Sequence, residues 1–146
     1  MKGELHIEVA RSPDEVFDFL ADIWDERSWN PRIVKIEKVS EGPISAGTKF
    51  RGIYSGIGEL TTELVVFERP RRFSFRSAGP RMRIERQFVV APSHAGTTID
   101  LKAELAPQSF FRLLMLLMAP IIRTQNEAAG ERLKRVLSTN APARAS

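Results

Sequence analysis

Apolar and polar residues alternate along most of this chain, and the alternation gives way near the end to one long apolar stretch. Leu5, Ile7 and Val9 alternate with His6 and Glu8, which predicts a half-buried first strand. A helix start follows at Ser12-Pro13-Asp14-Glu15, where Ser12 caps, Pro13 suits the first helical position and Glu15 completes a capping box. Val16, Phe17 and Leu20 supply its apolar stripe, and residues 25–31 (DERSWNP) break the regularity.

From Ile33 onward the period is mostly two. Val34 and Ile36 begin a second strand, and Phe50, Gly52 and Tyr54 share one face of a third. Leu60, Thr62, Leu64 and Val66 line one face of a fourth, and Phe73 and Phe75 belong to a fifth. Met82, Ile84, Phe88 and Val90 face inward from a sixth, and Ile99, Leu101, Ala103 and Leu105 from a seventh. The connections are short and rich in Gly, Pro and Ser, which predicts antiparallel pairing rather than βαβ units.

Residues 107 to about 137 read as helical. Phe111, Met115, Met118, Ile122, Gln125, Ala129, Leu133 and Val136 fall three and four apart and form one stripe. Pro120 predicts a kink or a break there. An alternating sheet needs a partner for its apolar face, and this helix is the largest candidate. The expected fold is therefore α+β, a seven-stranded curved antiparallel sheet gripping a long C-terminal helix, in one domain over residues 1–138. The small, polar segment 139–146 predicts a disordered tail.

Composition narrows the chemistry. With no cysteine, disulfides, thiolate metal sites and thiol nucleophiles are all excluded. His6 falls on the polar face of its strand and His94 in a Pro-Ser-His-Ala-Gly turn, so neither metal-ligand spacing nor a catalytic triad emerges. No metal, cofactor or catalytic residue is expected. The net charge of +4 comes mainly from arginines between Arg69 and Arg86. Alternation divides them between faces, which favours a solvated surface over a nucleic-acid partner. No apolar run reaches the roughly 18 residues of a membrane span, and the N-terminus lacks a signal-peptide core, so the expected location is cytoplasmic.

The order of parts resembles the START-like helix-grip superfamily (SRPBCC), with its polyketide cyclase/dehydrase and lipid-transport members. The resemblance covers residues 2–137. It rests on the strand followed by SPDEVFDFLADIWDERSWNP, on EGPISAGTKFR, on FERPRRFSFR, and on AGTTIDLKAEL before the closing helix. It implies an apolar cavity between sheet and helix, and not one particular activity.

Candidate ligand-binding residues follow from facing and parity. They are Trp29 at the cavity mouth, Phe50, Tyr54, Leu64, Phe75, Ile84, Arg86 and Phe88 from the strands, and Met115, Met118 and Ile122 from the helix. Arg86 is the sharpest, because it shares the apolar parity of Met82, Ile84, Phe88 and Val90. A desolvated guanidinium needs a partner: an anionic or strongly accepting ligand head, an inward acid, or water. Against this stands a bulge that would swing Arg86 to solvent, or a place at a wet rim. Tyr54, the sole tyrosine, has a hydroxyl suited to a ligand, and Gly52 beside it leaves room for one, although packing explains both equally well.

Phe110 to Ile122 is almost wholly apolar, but thirteen helical residues span about 20 Å, too short for a bilayer of roughly 30 Å. The sheet wraps this segment on both sides, or it forms a homodimer interface, a lid, or a transient membrane contact. The reading favoured overall is a carrier or sensor that binds an apolar small molecule or lipid. The alternatives are a small cyclase/dehydratase-type enzyme acting on a polyketide-like or aromatic substrate, with Tyr54 and Arg86 as its reacting pair, and a partner-binding regulatory subunit.

Overall fold

The computed structural model describes residues 2–108, 116–117 and 119–139. The strands are β1 (Lys2–Val9), β2 (Ile33–Lys38), β3 (Lys49–Tyr54), β4 (Gly58–Glu68), β5 (Arg72–Ala78), β6 (Met82–Pro92) and β7 (Thr97–Pro107). They form a single sheet in the order β1-β7-β6-β5-β4-β3-β2, with every neighbouring pair antiparallel. Helices α1 (Pro13–Ala21) and α2 (Ile23–Glu26) connect β1 to β2, and α3 (Ala119–Thr139) follows β7. The seven-stranded sheet with its terminal helix matches the expected α+β architecture.

Local chemistry explains the first turn of α1. The Ser12 hydroxyl accepts from the Glu15 backbone N–H at 3.3 Å and donates to the Glu15 carboxylate at 3.1 Å, with Pro13 opening the helix. Ser12 is thus the expected N-cap, and the Glu15 side chain bonds back to it through the hydroxyl. Arg11, just before it, donates from Nε to the Leu137 carbonyl oxygen at 3.0 Å and pairs with Glu15, so one buried side chain ties the start of α1 to the end of α3.

The terminal helix, the largest candidate partner for the apolar face, shares it with α1. α1 buries Val16, Phe17, Phe19, Leu20 and Ala21. Phe17 meets Phe67 and Phe73 edge-on at 5.3 and 5.1 Å, and Phe73 stacks on Phe88 at 4.5 Å. Leu133 and Leu137 of α3 join the same cluster. α1 thus packs against the sheet at β6, and among the described residues α3 packs mainly along the edge strand β1. There Gly130 lets the helix approach, since a Cβ at this position would lie 2.8 Å from Leu5 Cδ1.

Two bulges shift faces that a strict period of two predicts. Between Leu64 and Val66 the β4–β5 register slips, so Val66 pairs with Ser74 and Phe67 turns inward opposite Phe73. Val66 therefore does not continue the face of Leu64. A second slip between Ile33 and Lys35 leaves Val34 67% exposed while Ile36 is buried. In both cases one strand carries an extra residue against its partner, which reverses the facing beyond it. The expected kink at Pro120 depends on residues 109–118, most of which lie outside the described residues, as does the tail from 140.

Candidate functional site

β6 pairs without a slip to β5 on one side and β7 on the other, so the parity of Arg86 survives and the residue faces inward. Its cross-strand neighbours are Phe75 and Ala103. The bulge that would have turned it to solvent is absent from this strand. The guanidinium lies 5.0 Å from the Phe75 ring centroid and 5.7 Å from that of Phe88, within cation–π range.

An inward acid holds it. Arg86 Nη1 donates to Glu26 Oε1 at 2.8 Å, and the second oxygen, Oε2, accepts from Asn30 Nδ2 at 2.7 Å. Glu26 is 1% exposed, and the Arg86 side chain 14%. The loop after α2 explains why these groups are poised. The Glu26 carbonyl accepts from the Trp29 and Asn30 N–H groups, and Asn30 Oδ1 accepts from the Arg32 N–H in an Asx turn. Burial is the largest single influence on the Arg86 charge and opposes it, but the Glu26 carboxylate, by charge and hydrogen bond, and Tyr54 together hold the guanidinium above its usual pKa.

Tyr54 is the third member. Its phenol is buried, and desolvation chiefly, with the Glu26 charge second, pushes its pKa up to about 12; Arg86 and a hydrogen bond to Thr62 oppose the shift. Thr62 and Ser77, paired across β4 and β5, join their hydroxyls at 2.6 Å. Of the two roles open to Gly52, packing is the one the structure supports. A Cβ there would lie 2.7 Å from Ile36 Cδ1 and 2.9 Å from Tyr54 Cε1, so the missing side chain accommodates those two residues.

The remaining strand candidates split into two groups. Phe50, Leu64, Phe75 and Phe88 are fully buried in the main cluster, together with Trp29. Ile84 belongs to a second cluster with Tyr54, Ile57, Leu60, Met82 and Leu105. The polar group of Glu26, Arg86 and Tyr54 has apolar clusters on either side, and Ile84, Ala103 and Leu105 near it are only partly covered. The indole N–H of Trp29 is buried without a hydrogen-bond partner. Met115, Met118 and the Ile122 side chain lie outside the described residues. Leu116 and Leu117, within the apolar segment before α3, are 60% and 74% exposed.

A recess of about 200 Å³ lies where β4 bulges, towards the outer face of the sheet. Its lining includes Ser74, Arg76, Glu85 and Gln87 besides Phe75 and Arg86. Among the described residues none of α3 lines it, and its outward-facing lining differs from the cavity expected between sheet and helix. On the outer surface Arg69, Arg72 and Arg76 pair with Asp18, Glu68 and Glu85, so part of the arginine cluster is already neutralised.

Glu26 was missed from sequence. It sits in a four-residue helix with no apolar period, and only its N-terminal neighbours Asp22 and Asp25 mark the region as polar. A buried Arg in search of an acid was the available signal, but nothing singles out Glu26 among eighteen acidic residues.

A family model described as polyketide cyclase / dehydrase and lipid transport matches residues 2–138. Among solved structures, a conserved protein from Geobacillus kaustophilus superposes with a TM-score of 0.75 at 12% identity, covering 96% of this chain and 97% of that one. A START superfamily protein from Mycobacterium smegmatis gives 0.68 at 13% identity, over 92% and 98%. A Staphylococcus aureus protein of unknown function gives 0.71 at 11% identity, over 97% and 96%. At these identities the likeness is one of fold. No curated protein matches the sequence.

Proposed function

Because this chain belongs to the polyketide cyclase/dehydrase and lipid-transport family, we propose that it binds an apolar small molecule or lipid between the inner face of its sheet and its C-terminal helix, as a carrier or sensor. The observation that carries this reading is the Glu26–Arg86 pair set among apolar side chains on that face. Burying an ion pair costs several kcal/mol in desolvation and seldom improves stability over apolar packing. A polar group kept at that expense, beside the partly covered Ile84, Ala103 and Leu105, fits a site that orients a mostly apolar guest. Native mass spectrometry of the gently purified protein tests it: the reading expects a mass above that of the polypeptide, lost on denaturation. A bare polypeptide mass that no apolar compound shifts would count against it.

An enzymatic reading has one specific support. Glu26 places a carboxylate near the phenol of Tyr54 and against Arg86, which supplies an acid–base group that the sequence did not reveal. It predicts turnover of a polyketide-like or aromatic substrate that disappears in Glu26→Gln while binding persists. Binding without turnover in the unaltered protein leaves the carrier.

A further inference from the structure

Resting on the apolar-ligand reading, we infer that the ligand's polar end is an uncharged hydrogen-bond acceptor, such as the oxygen of a ketone, ester or lactone, received beside the Glu26–Arg86 pair with Trp29 Nε1 as a donor. The first ground is charge. A lone inward arginine calls for an anion, but here the chain provides its own carboxylate at 2.8 Å. The pair is neutral as a unit. An incoming carboxylate would have to displace Glu26, which is 1% exposed and also held by Asn30, or lie beside it as a second buried negative charge.

The second ground is a surplus of donors. Arginine carries five N–H groups in a planar fork, and Arg86 reaches Glu26 through Nη1 while its side chain keeps 14% exposure. The Trp29 indole N–H is 4% exposed as a residue and lacks an acceptor, in a cluster shared with Phe50, Leu64, Phe75 and Phe88. A buried donor without an acceptor is unfavourable, and a neutral oxygen relieves it without adding a charge. Tyr54 adds a further group that stays protonated, its pKa raised to about 12 by burial first and by Glu26 second. The surroundings therefore favour accepting oxygens over acidic ones.

The test compares three fluorescent probes at pH 8: a polyene fatty acid, its methyl ester, and diphenylhexatriene, a hydrocarbon without oxygen. The unaltered protein should bind the ester at least about tenfold more tightly than the ionised acid, as a buried unpaired charge demands. Trp29→Phe should weaken the ester about five- to thirtyfold, the scale of one buried hydrogen bond left unmade, and leave diphenylhexatriene within about twofold. Acid bound as tightly as ester, or more tightly, overturns the inference without any variant. Equal weakening of ester and hydrocarbon in Trp29→Phe also overturns it, because the indole then serves packing alone. Failure of all three probes to bind overturns the apolar-ligand reading itself, and the inference with it.

Discussion

Arg86 and Glu26 stand sixty positions apart in the chain and meet at 2.8 Å on the inner side of the sheet. Each is the other's reason to be there. Removing one partner leaves an uncompensated charge in a largely apolar setting, whereas replacing both leaves ordinary packing. Glu26→Leu or Arg86→Leu alone should lower the unfolding free energy by about 3 kcal/mol, towards the lower end of the range for broken buried pairs because Arg86 keeps some exposure. The double variant should lose much less than the sum. Urea denaturation of the four proteins gives the coupling energy directly, and additive losses would show the two residues to be independent.

Tyr54 is the only tyrosine, so absorbance at 295 nm reports its ionisation alone in the folded protein. It should titrate near pH 12 rather than the usual 10. Between those values the folded state keeps a proton that the unfolded state releases. The stabilisation is therefore complete below about pH 10, falls as pH rises, and is gone above about pH 12, a loss on the order of 2 kcal/mol. Tyr54→Phe should lack that part of the alkaline loss. An ordinary titration near 10 would mean the phenol reaches water.

Gly130 sets the approach of α3 to β1. Gly130→Val places branched methyl groups against Leu5 and should destabilise by about 1–3 kcal/mol through overpacking. Ala128→Val puts the same side chain on an exposed position of this helix, away from Leu5, and should cost no more than about 0.7 kcal/mol. Equal effects of the two in thermal melts would mean that the helix does not rest on Leu5.

What the sequence showed and what it hid divide along physical lines. Strand faces and the helix cap depend on neighbours two to four residues away, so β6 announced Arg86 and Ser12 announced α1. A bulge adds one residue without a distinctive side chain, so neither the inward turn of Phe67 nor the exposure of Val34 was visible. Glu26 was hidden for another reason: its partner is distant in sequence, and a charged residue in a four-residue helix looks like solvated surface until the sheet closes over it. Gly52 invited a ligand on paper because a glycine on an apolar face leaves space. The fold fills that space with Ile36 and Tyr54.

The most direct test of ligand binding at this site is an NMR titration that follows the two tryptophan indole N–H signals, from Trp24 and Trp29, assigned with Trp24→Phe. Trp24 is half exposed with Arg27 stacked on it, whereas Trp29 is buried without a partner. Adding a neutral, oxygen-bearing apolar ligand such as the polyene methyl ester should move the Trp29 signal downfield with saturation, as an N–H that gains an acceptor does, and leave Trp24 in place. A Trp29 signal that stays fixed while the ester demonstrably binds would contradict the account, because the guest would then lie somewhere other than beside Glu26 and Arg86.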